Sequence, residues 1–175
     1  VKCYGFEKRV NREEPSNAFR RRMQSQRCEL LIFLEYCSNG SLKDMMSDES
    51  IFPGKFIPEK LAKGYIKQTL EGLKYLHEQG VIHRDIKCAN LLVSSKDNII
   101  KLADFGISTQ ITNTLKSGVR NGNEDVAMTC IGSPNWMAPE ILLGQGATSK
   151  SDIWSLGSTL VEMLTGKPPF YNLNN

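Results

Sequence analysis

The chain has 175 residues, 40% of them hydrophobic and 23% charged, with 22 Lys and Arg against 19 Asp and Glu for a formal net charge of +3. That length allows one ordinary domain with a real core, and the composition is that of a globular protein rather than a disordered or fibrous one. The charge is too mild to argue for a nucleic-acid partner, and no apolar run approaches the length needed to cross a bilayer.

In chain order, Val1 to Phe6 is a candidate strand, and the polar stretch from Lys8 to Arg27, with Pro15 and Arg20-Arg21-Arg22, reads as a long connecting loop. The arginine triplet reads as solvated surface. Residues 1 to 29 hold eight Lys/Arg and four Asp/Glu, so the basic excess sits at the front. Glu29 to Tyr36 is an apolar run of strand length, expected to be buried and closed by the turn-forming Ser38-Asn39-Gly40-Ser41. Pro58 to Gln79 carries Leu61, Tyr65, Ile66, Leu70, Leu73 and Leu76 at helical spacing on one face, with Pro58 suited to the first turn and Gly80 to the stop. Leu91 to Val93 and Ile99 to Leu102 predict a small ribbon. Ser117 to Asp125, rich in Gly and Asn, is expected to be mobile. A second amphipathic helix is predicted from about Ser151 to Thr165, with Ile153, Leu156, Leu160 and Leu164 inward, stopped by Gly166 and Pro168.

The five cysteines (Cys3, Cys28, Cys37, Cys88 and Cys130) are odd in number, scattered and without a C-x-x-C pair. A disulfide framework or zinc site is therefore not expected, and a reducing cytoplasmic setting fits better. The opening Val1-Lys2-Cys3-Tyr4 has no signal-peptide pattern, and the chain reads as a piece of something longer.

Between the long helix and the ribbon stands His83-Arg84-Asp85-Ile86-Lys87-Cys88-Ala89-Asn90, and just after the ribbon comes Asp104-Phe105-Gly106. Further on is Gly132-Ser133-Pro134-Asn135-Trp136-Met137-Ala138-Pro139-Glu140. In that order these resemble the catalytic loop, the metal-binding DFG and the A-P-E end of the activation segment of a eukaryotic-type serine/threonine protein kinase. Any one could arise by chance; three in order, on the expected elements, are specific. The last stretch is similar to that of the branch that includes the MAP kinase kinase kinases, with Ser133 in place of the usual threonine. The resemblance covers essentially the whole chain. It implies an α+β, protein-kinase-like fold in which residues 1–37 are the end of the small β lobe with the hinge, and 38–175 are part of the mainly helical large lobe.

Phosphoryl transfer asks a protein to align a hydroxyl nucleophile with the γ-phosphate of ATP and to neutralise spreading negative charge with magnesium and cations. By resemblance, Asp85 orients the substrate hydroxyl, Lys87 places a positive charge on the transferring phosphate, and Asn90 and Asp104 hold Mg²⁺ through oxygen. The competing reading of Asp85 and Asp104 is ordinary loop carboxylates in turns or caps. His83 is expected to pack and support the loop rather than act as a base, His77 to be a packing or surface residue, and Cys88 to be a small loop residue. Lys87 in H-R-D-I-K favours Ser/Thr over Tyr substrates, and the hydroxyl of Ser133 can still reach Asp85. The resemblance makes Leu34 the guard at the rear of the nucleotide pocket, Glu35, Tyr36 and Cys37 the hinge that binds adenine edges, and Leu92 the apolar floor. Arg84 could pair with a phosphate on the activation segment. Candidate acceptors are Thr109, Thr112, Thr114, Ser117 and Thr129; Thr129 is preferred, and Thr129→Ala is expected to lower activity. Asp152 matches a family aspartate that braces the catalytic loop.

No G-x-G-x-x-G or V-A-I-K lysine precedes the expected hinge, and the arginine that normally pairs with the A-P-E glutamate, here Glu140, is not present. The isolated piece is therefore expected to turn over ATP weakly and to dissolve poorly. Two classes remain at this stage: a kinase acting on protein substrates, a downstream kinase among them, in a signalling cascade, and a non-catalytic kinase-like module that works by partner binding. Neither implies a nucleic-acid or membrane partner, and the oligomeric state is not legible.

Overall fold

The computed structural model of the chain describes residues 1–11, 27–94, 97–104, 109–110 and 133–173. They fall into two compact units, Val1–Tyr36 and Cys37–Asn175.

The first unit is an antiparallel ribbon of β1 (Cys3–Asn11) and β2 (Arg27–Leu34), with Cys3 opposite Leu34 and Asn11 opposite Arg27. The pairing continues past the strands, where the Glu35 N–H donates to the Lys2 carbonyl at 2.8 Å. Two expectations are corrected here. Strand β1 is longer than the apolar pattern indicates and takes in the polar Lys8 and Arg9 of the expected loop, while β2 keeps the expected length but begins and ends two residues earlier, at Arg27 and Leu34. Backbone pairing does not depend on side-chain polarity, and Glu7 and Arg9, two apart on one face, form their own ion pair at 3.0 Å. Nor is β2 buried: Leu30, Ile32 and Leu34 are 61%, 57% and 57% exposed. A two-stranded ribbon has two open faces, and no further element among the described residues of this unit covers either.

The second unit begins with a tight turn in which the Gly40 N–H donates to the Cys37 carbonyl at 3.1 Å. Helix α1 (Leu42–Ser47) follows, started by a reciprocal cap: Ser41 Oγ accepts the Asp44 N–H, and the Asp44 carboxylate accepts the Ser41 N–H. The long helix α2 (Glu59–Glu78) has Pro58 just outside it as its cap, and Gly80 beyond its end has a φ of +71°, the left-handed stop its sequence implied. Its buried stripe runs through Ala62, Tyr65, Thr69 and Leu73, with Leu61, Ile66 and Leu76 partly covered. Leu70, expected inward, is exposed, because it lies a full 100° round the helix from Thr69 at the stripe's centre.

After α2 come β3 (Val81–Ile82), β4 (Leu91–Val93), β5 (Ile100–Leu102) and β6 (Thr109–Gln110). Strands β4 and β5 form the expected ribbon, Leu91 opposite Leu102, and β3 pairs antiparallel with β6. A four-residue helix, α3 (Pro139–Leu142), precedes α4 (Ser149–Thr165), which is capped by Thr148 and Ser151.

Helix α4 departs from its apolar pattern. Leu156 is buried and Leu160 partly so, but Ile153 and Leu164, expected inward, are 48% and 38% exposed. The face turned inward carries Asp152, Ser155, Thr159 and Glu162 beside Leu156 and Met163. Those polar groups bond to loops packed on the helix, so hydrophobicity alone misplaces its inner face. The helix stops at Gly166 (φ +76°), where an added Cβ would lie 2.6 Å from the Lys55 carbonyl oxygen. The loop carrying Lys55 is fastened to the same helix end by the Ile57 N–H, which donates to the Met163 carbonyl at 2.7 Å.

The core joins α1, α2, β4 and α4 through Leu42, Met46, Ile57, Tyr65, Leu73, Ile86, Leu91 and Met163, all essentially inaccessible. Each such side chain contributes on the order of 1.5–3 kcal/mol by leaving water. Among the described residues no helix is long and apolar enough to cross a membrane.

Candidate active site

The segment between β3 and β4 has little regular structure of its own, so its backbone needs partners from elsewhere. Asp152, wholly buried near the start of α4, supplies two: Oδ2 accepts the His83 N–H and Oδ1 the Arg84 N–H, both at 2.9 Å. Oδ2 also accepts from His77 Nε2 at 2.8 Å, which ties in α2 and gives His77 a bracing contact. Farther along α4, Thr159 Oγ1 donates to the Ile86 carbonyl, and Glu162 Oε2 accepts the Cys88 N–H. One helix therefore holds the loop at four successive points. Arg84 adopts a φ of +74°, an unfavourable conformation for a residue with a Cβ, which the Asp152 contact helps to sustain.

His83 is inaccessible to solvent, and its Nε2 lies 3.0 Å from the Ala103 carbonyl oxygen. A carbonyl can only accept, so Nε2 carries the proton and Nδ1 accepts the long 3.4 Å contact from the Asp85 N–H. Burial holds the imidazole below its ordinary pKa despite the nearby Asp152, Asp85 and Asp104 carboxylates. With both nitrogens occupied, His83 is a support for the loop, as expected.

Asp85 is the centre of a closed polar ring. Its Oδ2 accepts from Lys87 Nζ and from Asn90 Nδ2, both at 2.8 Å, and its Oδ1 accepts from Ser133 Oγ at 3.0 Å. Lys87 Nζ in turn donates to Ser133 Oγ at 2.7 Å. Burial pushes the Asp85 carboxyl upward, but Lys87 and the hydrogen bonds from Asn90 and Ser133 outweigh it and hold the group below its ordinary value. Three of the roughly four acceptor positions of a carboxylate are filled, which leaves one for an incoming hydroxyl.

Asp104 is exposed, has a φ of +62°, and directly follows Ala103, whose N–H donates to the Asn90 carbonyl at 3.0 Å and whose carbonyl accepts from His83. Asp104 is thus carried toward Asn90 by the backbone bond that its neighbour Ala103 makes to the Asn90 carbonyl. Asn90 spends its Nδ2 on Asp85, both on the backbone oxygen at 2.7 Å and on the carboxylate, so its side-chain oxygen is the group left to act as a ligand. One amide oxygen and one exposed carboxylate fit a hard divalent cation completed by water and phosphate oxygens. They do not fit a cation caged by protein alone, and no group of three or more His, Cys, Asp or Glu among the described residues could hold one.

Of the residues read as nucleotide contacts, Leu34 and Glu35 lie in the first unit. Cys37 and Leu92 lie in the second, where Leu92 bridges to Ser41 and the Val93 N–H donates to the Gly40 carbonyl, placing the turn after Cys37 against the β4 ribbon. Phe105, Gly106, Thr112, Thr114, Ser117, Thr129, the arginine triplet and the stretch from Ser117 to Asp125 lie outside the described residues. Thr109 lies in β6. Cys88 is buried and its thiol is pushed far above its ordinary pKa, first by burial and then by Glu162, in line with an inert loop residue. Sequence reasoning missed Glu162 and Thr159. Their signal was present: Asp152, Ser155, Thr159 and Glu162 recur every three or four residues, a polar stripe in an otherwise apolar helix.

Residues 18–175 match the model of the protein kinase domain family. The chain is 50% identical over 144 residues to the cytokinesis protein sepH of Aspergillus niger, an overlap of 82% of this chain and 10% of that protein. It is 52% identical over 145 residues to cell division control protein 7 of Schizosaccharomyces pombe, covering 83% of this chain and 12% of the relative. It is 46% identical over 144 residues to MAP3K epsilon protein kinase 2 of Arabidopsis thaliana, covering 82% and 10%. The chain spans about a tenth of the length of these curated relatives.

Proposed function

The chain belongs to the protein kinase domain family, and on that premise we propose that it transfers the γ-phosphate of ATP to serine or threonine hydroxyls of protein substrates. The observation that carries this reading is the ring of Asp85, Lys87, Asn90 and Ser133, with one acceptor position of Asp85 left for the substrate hydroxyl. Because Asp85 is held below the ordinary carboxylate range, its part is to orient that hydroxyl rather than to remove its proton early. Lys87, already between Asp85 and Ser133, is placed to meet negative charge on the transferred group. The side-chain oxygen of Asn90 and the carboxylate of Asp104 are the ligands for Mg²⁺, which when bound with ATP shields the phosphates.

Residues 1–37 are read as the end of the small lobe with the hinge and 38–175 as large lobe, Leu34, Glu35, Cys37 and Leu92 meeting the nucleotide. Arg84 is read as the cation for a phosphate on Thr129. A place in a MAP kinase-type cascade, with a downstream kinase as substrate, is supported by the Arabidopsis relative's name. A cytoplasmic location is our reading of five scattered cysteines without a C-x-x-C pair.

The test is transfer of labelled phosphate from ATP to a serine-containing protein by the full-length protein, alongside Asp85→Asn. Transfer is expected to fall by about 10²–10⁴ in the variant. Absence of transfer by both would instead favour the kinase-like module that only binds partners, and equal measurable transfer by both would show that Asp85 does not carry the reaction.

A further inference from the structure

Beside Lys87 lies a groove of about 500 Å³ whose lining includes Lys43, Lys87, Ser133, Trp136, Glu162 and Tyr171. Its wall contains a charge that the chemistry above does not use. The Glu162 side chain is only 3% exposed, and its two oxygens have separate duties. Oε2 accepts the Cys88 N–H and the Trp136 indole N–H, each at 3.1 Å, and so belongs to the scaffold. Oε1 faces Lys43 Nζ at 3.5 Å, and the Lys43 side chain, reaching over from α1, is 43% exposed.

Lys87 also lines the groove, but its charge is engaged with Asp85 and Ser133. A side chain entering the groove therefore meets the Lys43–Glu162 pair. A nearly buried carboxylate at the edge of an open groove attracts a cation, and here the cation comes from the chain itself. Its ammonium fills the place that a basic ligand would take and repels one that approaches. Specificity built in this way rests on an unfavourable contact with the wrong partner as much as on a favourable one with the right partner.

We propose that Lys43 is a specificity-determining residue: by capping Oε1 of Glu162 it turns the groove against lysine and arginine side chains of a protein substrate and leaves it to neutral or acidic ones. The proposal rests on the phosphoryl-transfer reading, since the groove shares Lys87 and Ser133 with the site that receives the hydroxyl.

The test compares kcat/KM of the full-length protein on serine peptides that carry Arg, Ala or Glu in turn at each position flanking the acceptor. The wild type is expected to disfavour Arg at one or more of these positions. At those positions Lys43→Ala should raise the Arg-to-Glu ratio about fivefold, the worth of one partly exposed ion pair, while Lys43→Arg keeps the wild-type ratio. Combining Lys43→Ala with Glu162→Gln should cancel the gain, because the carboxylate that would attract arginine is gone. Ratios for Lys43→Ala that match the wild type at every position, or a wild type that prefers Arg, would overturn the assignment of Lys43 alone. A wild type that phosphorylates no peptide with ATP and magnesium would instead overturn the kinase reading and this inference with it.

Discussion

Asp152 and His83, 69 residues apart, meet in a 2.9 Å hydrogen bond from the His83 N–H to Oδ2 of the carboxylate, while Oδ1 accepts the Arg84 N–H at the same distance. A buried carboxylate here replaces the regular backbone partners that the loop lacks. Asp152→Asn turns one of the two acceptors into a donor that confronts an N–H. Unfolding by urea should show a loss of about 2–3 kcal/mol, the worth of a hydrogen bond to a charged group, together with a lower kcat. Stability and kcat equal to the wild type would show that the loop is held by other means.

Ser133 donates to Asp85 and accepts from Lys87, so its hydroxyl rather than its size matters to the ring. Ser133→Thr is expected to keep activity within about twofold, and Ser133→Ala to lower kcat about tenfold, the worth of one good hydrogen bond. Losing the donor also removes one of the groups that hold the Asp85 carboxyl down, so the acidic limb of the pH–rate profile should move to higher pH in Ser133→Ala. A limb that stays in place would mean that Ser133 does not act on Asp85.

The pH dependence of stability has a source in His83, whose folded-state pKa lies below the ordinary 6.5 because the ring is buried. The unfolded chain then binds more protons than the folded one below about pH 6.5, so stability is full above that value and is lost as pH falls toward the folded pKa. The slope in that window can reach about 1.4 kcal/mol per pH unit for this one group. Urea midpoints measured between pH 7.5 and 5.5 should fall for the wild type and fall less steeply for His83→Gln.

Gly166→Ala tests the close approach at the end of α4. The residue has a φ of +76°, and a methyl there would lie 2.6 Å from the Lys55 carbonyl oxygen. Both penalties act in the same direction, and thermal unfolding should reveal a loss of at least about 1–2 kcal/mol. A change under 0.5 kcal/mol would mean that the Lys55 loop moves aside at little cost.

Much of the second unit was legible because its rules are local. Pro58 and Gly80 bracket α2, Gly166 ends α4, and the ribbon of β4 and β5 follows two short apolar runs. The chemistry of the site was legible for another reason: Asp85, Lys87, Asn90, Asp104 and Ser133 stand in recognisable motifs, and all but Asp104 meet in one hydrogen-bonded ring. What escaped was decided at long range. The burial of β2 depends on what covers it, and the inward polar face of α4 depends on loops far away in sequence. Leu70 was misplaced because Thr69, small and polar, is what α2 buries at its centre, with its hydroxyl satisfied by the Tyr65 carbonyl.

The reliance of the catalytic loop on α4 also bears on how the protein is made. A nascent chain that has emerged only through Asn90 carries Asp85 and Lys87 but none of the side chains at 152, 159 and 162 that receive or donate the loop's backbone bonds. Contacts so distant in sequence close late, after the local helices have formed. During synthesis the arrangement of the loop around Asp85 therefore waits for the ribosome to deliver about seventy more residues, those that carry Asp152, Thr159 and Glu162.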